Sequence, residues 1–461
     1  MTENQDDDKN ANRRTTPPSR EFLDYIASSW ATPEKTATKQ GPAAPFAMAR
    51  RQKVSKSFTG KLILIKAGAP KTRSNDTDYR YRPHAAFAYL TGWGSKTVAD
   101  SVLVIDTRDS SKEILFLRPT AGKDSDEFFA NPAIGEFWVG ARPTLEEVST
   151  LLKLETRDLA ELDSYIGDSE TIDQDDPDLA QFVSEQRLIK DSYEIEQMRL
   201  AVAASISGFE DVVKVLPKSV GIAKGERLIE TTFFQRARLN GNDIGYETIA
   251  AAGKHACILH WIINDGDVKS TDLVLLDAGV EVDSLYTADI TRCLPVSGKF
   301  SKAQREIYLA VLEAADAAFA IAKPGVLFRD MHHAAMKVIA ERTAGWGILP
   351  ISAEESLDVT KQFHRRWMVH GTSHHLGIDV HDCAQARKEM YLDAPLEEGM
   401  VFTIEPGLYF HADDLLAPEE FRGIGIRIED NVLVTATGVE NLSRALPRDP
   451  DAIEAWMAKL S

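Results

Sequence analysis

Four carboxylates stand inside apolar runs of this chain, and a fold must account for all of them. Asp277 ends the run "LVLLD" and is followed by Ala278 and Gly279. A carboxylate at the end of a buried strand is costly unless a positive group compensates it. Asp289 follows twelve residues later in "YTADITR", with the turn-forming pair Asp283 and Ser284 midway. If the two runs are arms of a hairpin, their even spacing directs both side chains to one face. Glu405 in "VFTIEPG" and Glu429 in "GIGIRIED" repeat the pattern. Arg427 lies on the same strand face as Glu429 and is open to two readings, an ion pair or a binding arginine. One such acid alone reads as a turn, cap or salt-bridge residue. Four together are explained by a pair of bound dications, which supply the charge that desolvation otherwise forbids.

The segment "VHGTSHHLGIDVHD" (369–382) holds His370, His374, His375 and His381, four of the chain's eleven histidines. Two Asp, two Glu and one imidazole form an oxygen-rich donor set. It suits Mn²⁺, with Co²⁺, Mg²⁺ or Zn²⁺ less favoured. His374 is the expected ligand, His375 reads as a packing residue beside it, and the others are free to handle substrate. Two ions about 3.5–4 Å apart can hold a bridging hydroxide and polarise a carbonyl together.

A length of 461 residues predicts two domains, and 43% hydrophobic residues provide for real cores. The net charge of −18 repels nucleic acid and anionic lipid, so both are discounted as partners. Cys257, Cys293 and Cys383 fit no zinc or disulfide spacing, which points to a reducing compartment. No stretch approaches a membrane span, and "MTENQDDDKNANRRTTPPSR" lacks the apolar core of a secretory signal. A cytoplasmic protein is expected.

The first 45 residues are expected to be a disordered or irregular tail, since "ATPEKTATKQGPAAP" continues the turn-prone composition. Residues 46–185 read as a mixed domain. It has strands in "KLILIKAG", "SVLVIDT" and "KEILFLRP" and a Thr-capped helix from Thr144. The acidic, turn-prone "GDSETIDQDDPDLA" (167–180) lies just before the boundary. Residues 186–461 turn to long helices. Asp191 and Glu194 have capping-box spacing, "GERLIETTFFQRARLNG" and "RDMHHAAMKVIAERTAG" are helical, and Ser301 opens a helix that Pro324 stops. His332 and His333 read as helix-surface or packing residues.

The strings "DAG", "ADITR", "HGTSHHLGIDVHD", "TIEPGLY" and "RGIGIRIEDN", in this order, resemble the pita-bread metallopeptidases, most closely the aminopeptidase P (Xaa-Pro aminopeptidase) group. Upstream, "RSNDTDYRYRPHAAFAYLTGW" resembles that group's amino-terminal domain. The resemblance implies a carboxy-terminal pita-bread domain after a smaller α/β domain, and a homo-oligomer, dimer or tetramer. It implies two divalent ions held by Asp277, Asp289, His374, Glu405 and Glu429, with Asp289 and Glu429 bridging. It also places His260, His370, His381, Tyr409 and Arg427 along the substrate site. Glu405 matches a glutamate with a proton-transfer role, and His260 and His381 are the other expected catalytic groups. The implied reaction removes the first residue from peptides with proline second, by attack of a metal-bridging hydroxide. Trp261 and His375 stand where relatives often carry other aromatics. The alternatives are a prolidase restricted to Xaa-Pro dipeptides and, less favoured, a non-catalytic module that only binds peptides; the full ligand set argues against a metal-free creatinase-like hydrolase.

Overall fold

The computed structural model describes residues 19–31, 37–75, 77–109 and 111–460. The chain divides into two compact units, Met1–Leu179 and Ala180–Ser461.

In the first unit, helix α1 (Arg20–Ala27) and helix α2 (Ala44–Ser57) precede strand β1 (Leu62–Lys66). Helix α3 (Ala85–Thr91), strands β2 (Val102–Asp106) and β3 (Lys112–Leu117), helix α4 (Leu145–Leu152), and strands β4 (Glu155–Asp158) and β5 (Thr171–Asp173) follow. They build a five-stranded sheet in the order β4-β3-β2-β1-β5, in which β4 and β5 run parallel to their neighbours. Leu62, Leu64, Val104, Ile114 and Phe116 form its core on one face, as alternation along a strand dictates. Thr144 and Glu147 close the expected box at the start of α4.

Two expectations need correction here. Part of the stretch read as an irregular tail is helical. Ser19 caps α1, Arg20 pairs with Asp126, and Phe22 meets Phe129 edge-on at 5.2 Å. An eight-residue helix is marginal alone, so these tertiary contacts, not composition, make it. The rest of that expectation, at residues 1–18 and 32–36, lies outside the described residues. Within the acidic stretch, Thr171–Asp173 is not a turn but edge strand β5, and Lys66 pairs with Asp173 at 2.8 Å.

The second unit opens with helix α5 (Ser192–Val215), capped by the Asp191/Glu194 box, and helix α6 (Gly225–Asn240). Strands β6 (Asp243–Ile244), β7 (Ile249–Ala252), β8 (Leu273–Ala278), β9 (Val280–Glu281) and β10 (Ile290–Pro295) follow. Helices α7 (Lys302–Ile321) and α8 (Asp330–Gly345) precede strands β11 (Val401–Ile404), β12 (Gly407–Phe410), β13 (Ile424–Arg427), β14 (Asp430–Val434) and β15 (Val439–Asn441). Helix α9 (Pro450–Leu460) closes the chain.

Three strands pair as β10-β8-β7 and three as β11-β14-β15, with two-stranded pairs β9-β6 and β12-β13. The β8/β10 register sets Asp277 opposite Thr291, so Asp289, two residues before Thr291, shares their face. Between the arms the chain leaves the hairpin, and Val280–Glu281 pairs with β6. Ala315, Ala318 and Met331 of α7 and α8 pack on Phe402, Ile404, Val432 and Val434, which fixes the strands that carry the glutamates.

Candidate metal centre

The histidine segment reaches the acids because it is stitched to β11. Leu376 donates its N–H to the Val401 carbonyl at 3.0 Å, Thr403 to that of His374 at 2.9 Å and Glu405 to that of Thr372 at 2.8 Å. His374 and Glu405 are thereby brought side by side. On the other flank Glu429 donates its N–H to the Thr291 carbonyl at 3.1 Å, and its carboxylate accepts from the Thr291 hydroxyl at 2.7 Å. Asn431 grips the backbone of Asp289 through both ends of its amide.

Asp277, Asp289, His374, Glu405 and Glu429 all line one cavity of about 500 Å³, together with His260, His370, His381 and Arg427. Asp289, His374 and Glu429 offer donor atoms within 4.8 Å of one another. His374 Nε2 lies 3.2 Å from Asp289 and 3.4 Å from Glu405. Its Nδ1–H donates to the His375 carbonyl at 3.1 Å, which aims Nε2 at the acids.

The charge balance favours cations. Burial, with Asp289 and Glu405 nearby, pushes Glu429 well above the carboxylate range. Burial raises Asp277, and it takes Glu405 up to about 7. Asp289 is held low despite burial because His374 meets it. One guanidinium, Arg427, pairs with Asp277. Three buried and one part-buried carboxylate against Arg427 and one imidazole require either further bound protons or bound metal. The donor types, their convergence and an Nε2 that faces the acids fit divalent ions.

The substrate-side residues separate into two sets. His370 Nδ1–H donates to the Gly371 carbonyl at 2.7 Å, so Nε2 accepts from the Tyr409 hydroxyl, also at 2.7 Å. Arg427 donates to that same hydroxyl at 3.0 Å and to Thr291 at 3.1 Å. Tyr409 thus lies behind the wall, linking His370 to Arg427, and does not itself line the cavity. Burial, then the charge of Arg427, lowers His370 to about 3. His381 is exposed overall, with its ring edge-on to His374 at 4.6 Å, and partial desolvation followed by the charge of His374 holds it below the usual value. His260 is exposed on the turn after Cys257. His375 is fully buried, stacked on Phe328 at 4.5 Å and edge-on to Tyr391 at 4.6 Å, as a packing residue would be. The three cysteines are buried and free.

Sequence reasoning missed Tyr246, whose hydroxyl lies 2.6 Å from both Asp277 and Asp289. It missed Thr403 as well, which accepts from the His374 N–H and donates to Glu405. The only signal for Tyr246 was an aromatic just ahead of the small-residue strand "IAAA". His332, read as a helix-surface or packing residue, packs inward and reaches Thr372 at 3.0 Å, and burial lowers it to about 4.

Four carboxylates on or beside the strands of two antiparallel sheets, and one imidazole from the segment stitched to them, converge on one cavity, an arrangement suited to a metallopeptidase. The model of metallopeptidase family M24 matches residues 196–436, and that of the aminopeptidase P N-terminal domain matches 47–174. Xaa-Pro aminopeptidase 1 of Streptomyces coelicolor is 46% identical, with 96% of this chain and 93% of that protein covered. Xaa-Pro aminopeptidase of Escherichia coli is 32% identical over 89% of this chain and 97% of its own length. A solved structure of Escherichia coli aminopeptidase P in complex with substrate superposes with a TM-score of 0.79 at 28% identity, covering 92% of this chain and 99% of that one. The chain belongs to the Xaa-Pro aminopeptidase (aminopeptidase P) family of the M24 metallopeptidases.

Proposed function

We propose that this protein hydrolyses the first peptide bond of peptides with proline in second place, using two divalent ions held by Asp277, Asp289, His374, Glu405 and Glu429. The observation that carries this is the convergence of those five side chains on a cavity that also presents His260, His370 and His381. The names of the relatives support it. When bound, the ions act as Lewis acids on the scissile carbonyl and lower the pKa of water. The oxygen-rich donor set favours Mn²⁺.

This chain's own groups do the rest. Glu405 receives the proton of the attacking water. The proline nitrogen carries no hydrogen in the substrate, so it must gain one as it departs. Glu405 returns that proton, with His381 and His260 holding the intermediate at the cavity mouth. His370 and Arg427 bind the proline side, and Tyr409 orients them from behind. The three unpaired cysteines fit a reducing compartment such as the cytoplasm, and the family resemblance favours a dimer or tetramer.

The test is cleavage of a Xaa-Pro-Xaa tripeptide before chelation, after it, and after Mn²⁺ is added back. Activity should vanish with chelation and return with metal. Cleavage of a Xaa-Pro dipeptide alone would make the protein a prolidase.

A further inference from the structure

Glu226 is a fully buried carboxylate outside the metal-lined cavity, and the reaction described above gives it no task. It sits in the first turn of α6 and is met by four N–H donors. The Ala252 N–H and His255 Nδ1–H reach Oε1, both at 2.8 Å. The Trp261 Nε1–H at 2.8 Å and the Gly266 N–H at 2.7 Å reach Oε2. The Glu226 N–H in turn donates to the Gly266 carbonyl at 3.2 Å.

These partners are spaced along one loop. Ala252 is its entry, Gly266 its exit, and His255 and Trp261 are stacked between them at 4.0 Å with an angle of 26°. The residues of this loop that line the cavity are Leu259, His260 and Ile262, which flank or adjoin Trp261. A Cβ on Gly266 would stand 2.6 Å from His255 Nδ1 and 2.7 Å from Glu226 Oε2, so the close approach requires glycine. A buried charge that gathers both ends and the middle of a loop fixes its path, because moving any one donor leaves buried charge less satisfied.

We propose that Glu226 is a positioning residue for the peptidase reaction, holding His260 at the cavity mouth through His255 and Trp261. This rests on the proposed function. Glutamine in its place keeps one acceptor oxygen and turns the other into a donor. Either the Ala252/His255 pair or the Trp261/Gly266 pair then faces an NH₂ group.

The experiment is a double-mutant cycle in the full chain, with amide hydrogen exchange of residues 253–266 followed alongside. Glu226→Gln should lower kcat/KM by between about ten- and a hundredfold, mainly in kcat. In a His260→Ala background the same change should cost less than about twofold, because both act through one imidazole. Exchange across 253–266 should quicken in Glu226→Gln while that of β8 and β10 stays as in the wild type. Trp261→Phe removes a single donor and should show the same non-additivity at smaller size, which secures the test if Glu226→Gln fails to fold. Equal losses in both backgrounds, a fully active His260→Ala, or an unchanged exchange pattern would each overturn the positioning. A wild type that cleaves no Xaa-Pro peptide would instead overturn the proposed function and the task of His260 with it, while the exchange would still report whether Glu226 holds the loop.

Discussion

Burial acts to lower His374, but its hydrogen bond to Asp289 and the charge of Glu405 outweigh burial and raise it to about 9. Free of metal at pH 7, this imidazole therefore carries a proton that a metal bound as proposed would displace. Apparent metal affinity should fall about tenfold for each pH unit below 9 from this proton alone. Below about 7 the proton on Glu405 adds a second factor. Titration of the metal-free protein in weak buffer should register the release, and a pH-independent affinity would contradict it. His375 has the opposite sign. Burial lowers it to about 3, so the folded state keeps it neutral while the unfolded chain protonates it below about 6.5. Its contribution favours folding less as pH falls from 6.5 towards 3. His375→Phe removes that dependence and two ring nitrogens with no partner among the described residues. The variant should equal or exceed the wild type in Tm at pH 7, and its advantage should grow towards pH 5, as paired melting curves would register.

The segment between the acidic stretch and α5 is anchored by a buried charge cluster. Arg187 and Lys190 both pair with Asp382, Lys190 at 2.9 Å, and Arg187 also reaches Asp379 at 2.6 Å. Asp382 also ties its N–H to the His375 carbonyl at 2.9 Å, so this cluster braces the histidine segment. Despite burial, the two cations hold Asp382 down to about 2. Asp382→Asn leaves two buried cations short of their counter-charge and should cost about 3–5 kcal/mol in urea unfolding. The depressed pKa means the native contribution is whole above about 4 and fades as pH falls to 2, so the gap between variant and wild type should close over that range. Elements of this kind show what could be read from sequence. The boxes at Thr144 and Asp191 were readable because a cap is local chemistry, and the four strand acids because each interrupts an apolar run. Helix α1 and strand β5 were not, since partners distant in sequence make them. Tyr246 and Glu226 escaped for the same reason. A tyrosine or glutamate in a polar stretch is unremarked until the fold supplies 31- and 40-residue separations to Asp277 and Gly266.

Each compact unit carries its own closed core, and every group named at the metal centre, together with its supports, falls in the second. The acids come from 277 to 429, the histidines from 260 to 381, the Asp382 cluster reaches back only to Arg187, and Asn431 to Ser443 at 3.2 Å closes the carboxyl side. A unit of this size lies well above that at which burial sustains folding. Residues 180–461 expressed alone should therefore unfold in one cooperative step and bind Mn²⁺ with stoichiometry and affinity within about threefold of the full chain, a margin of roughly 0.6 kcal/mol. Calorimetry of the fragment with and without metal is the measurement. A fragment that melts without cooperativity, or folds but leaves the metal in solution, would mean that the first unit supplies part of what the five proposed ligands need.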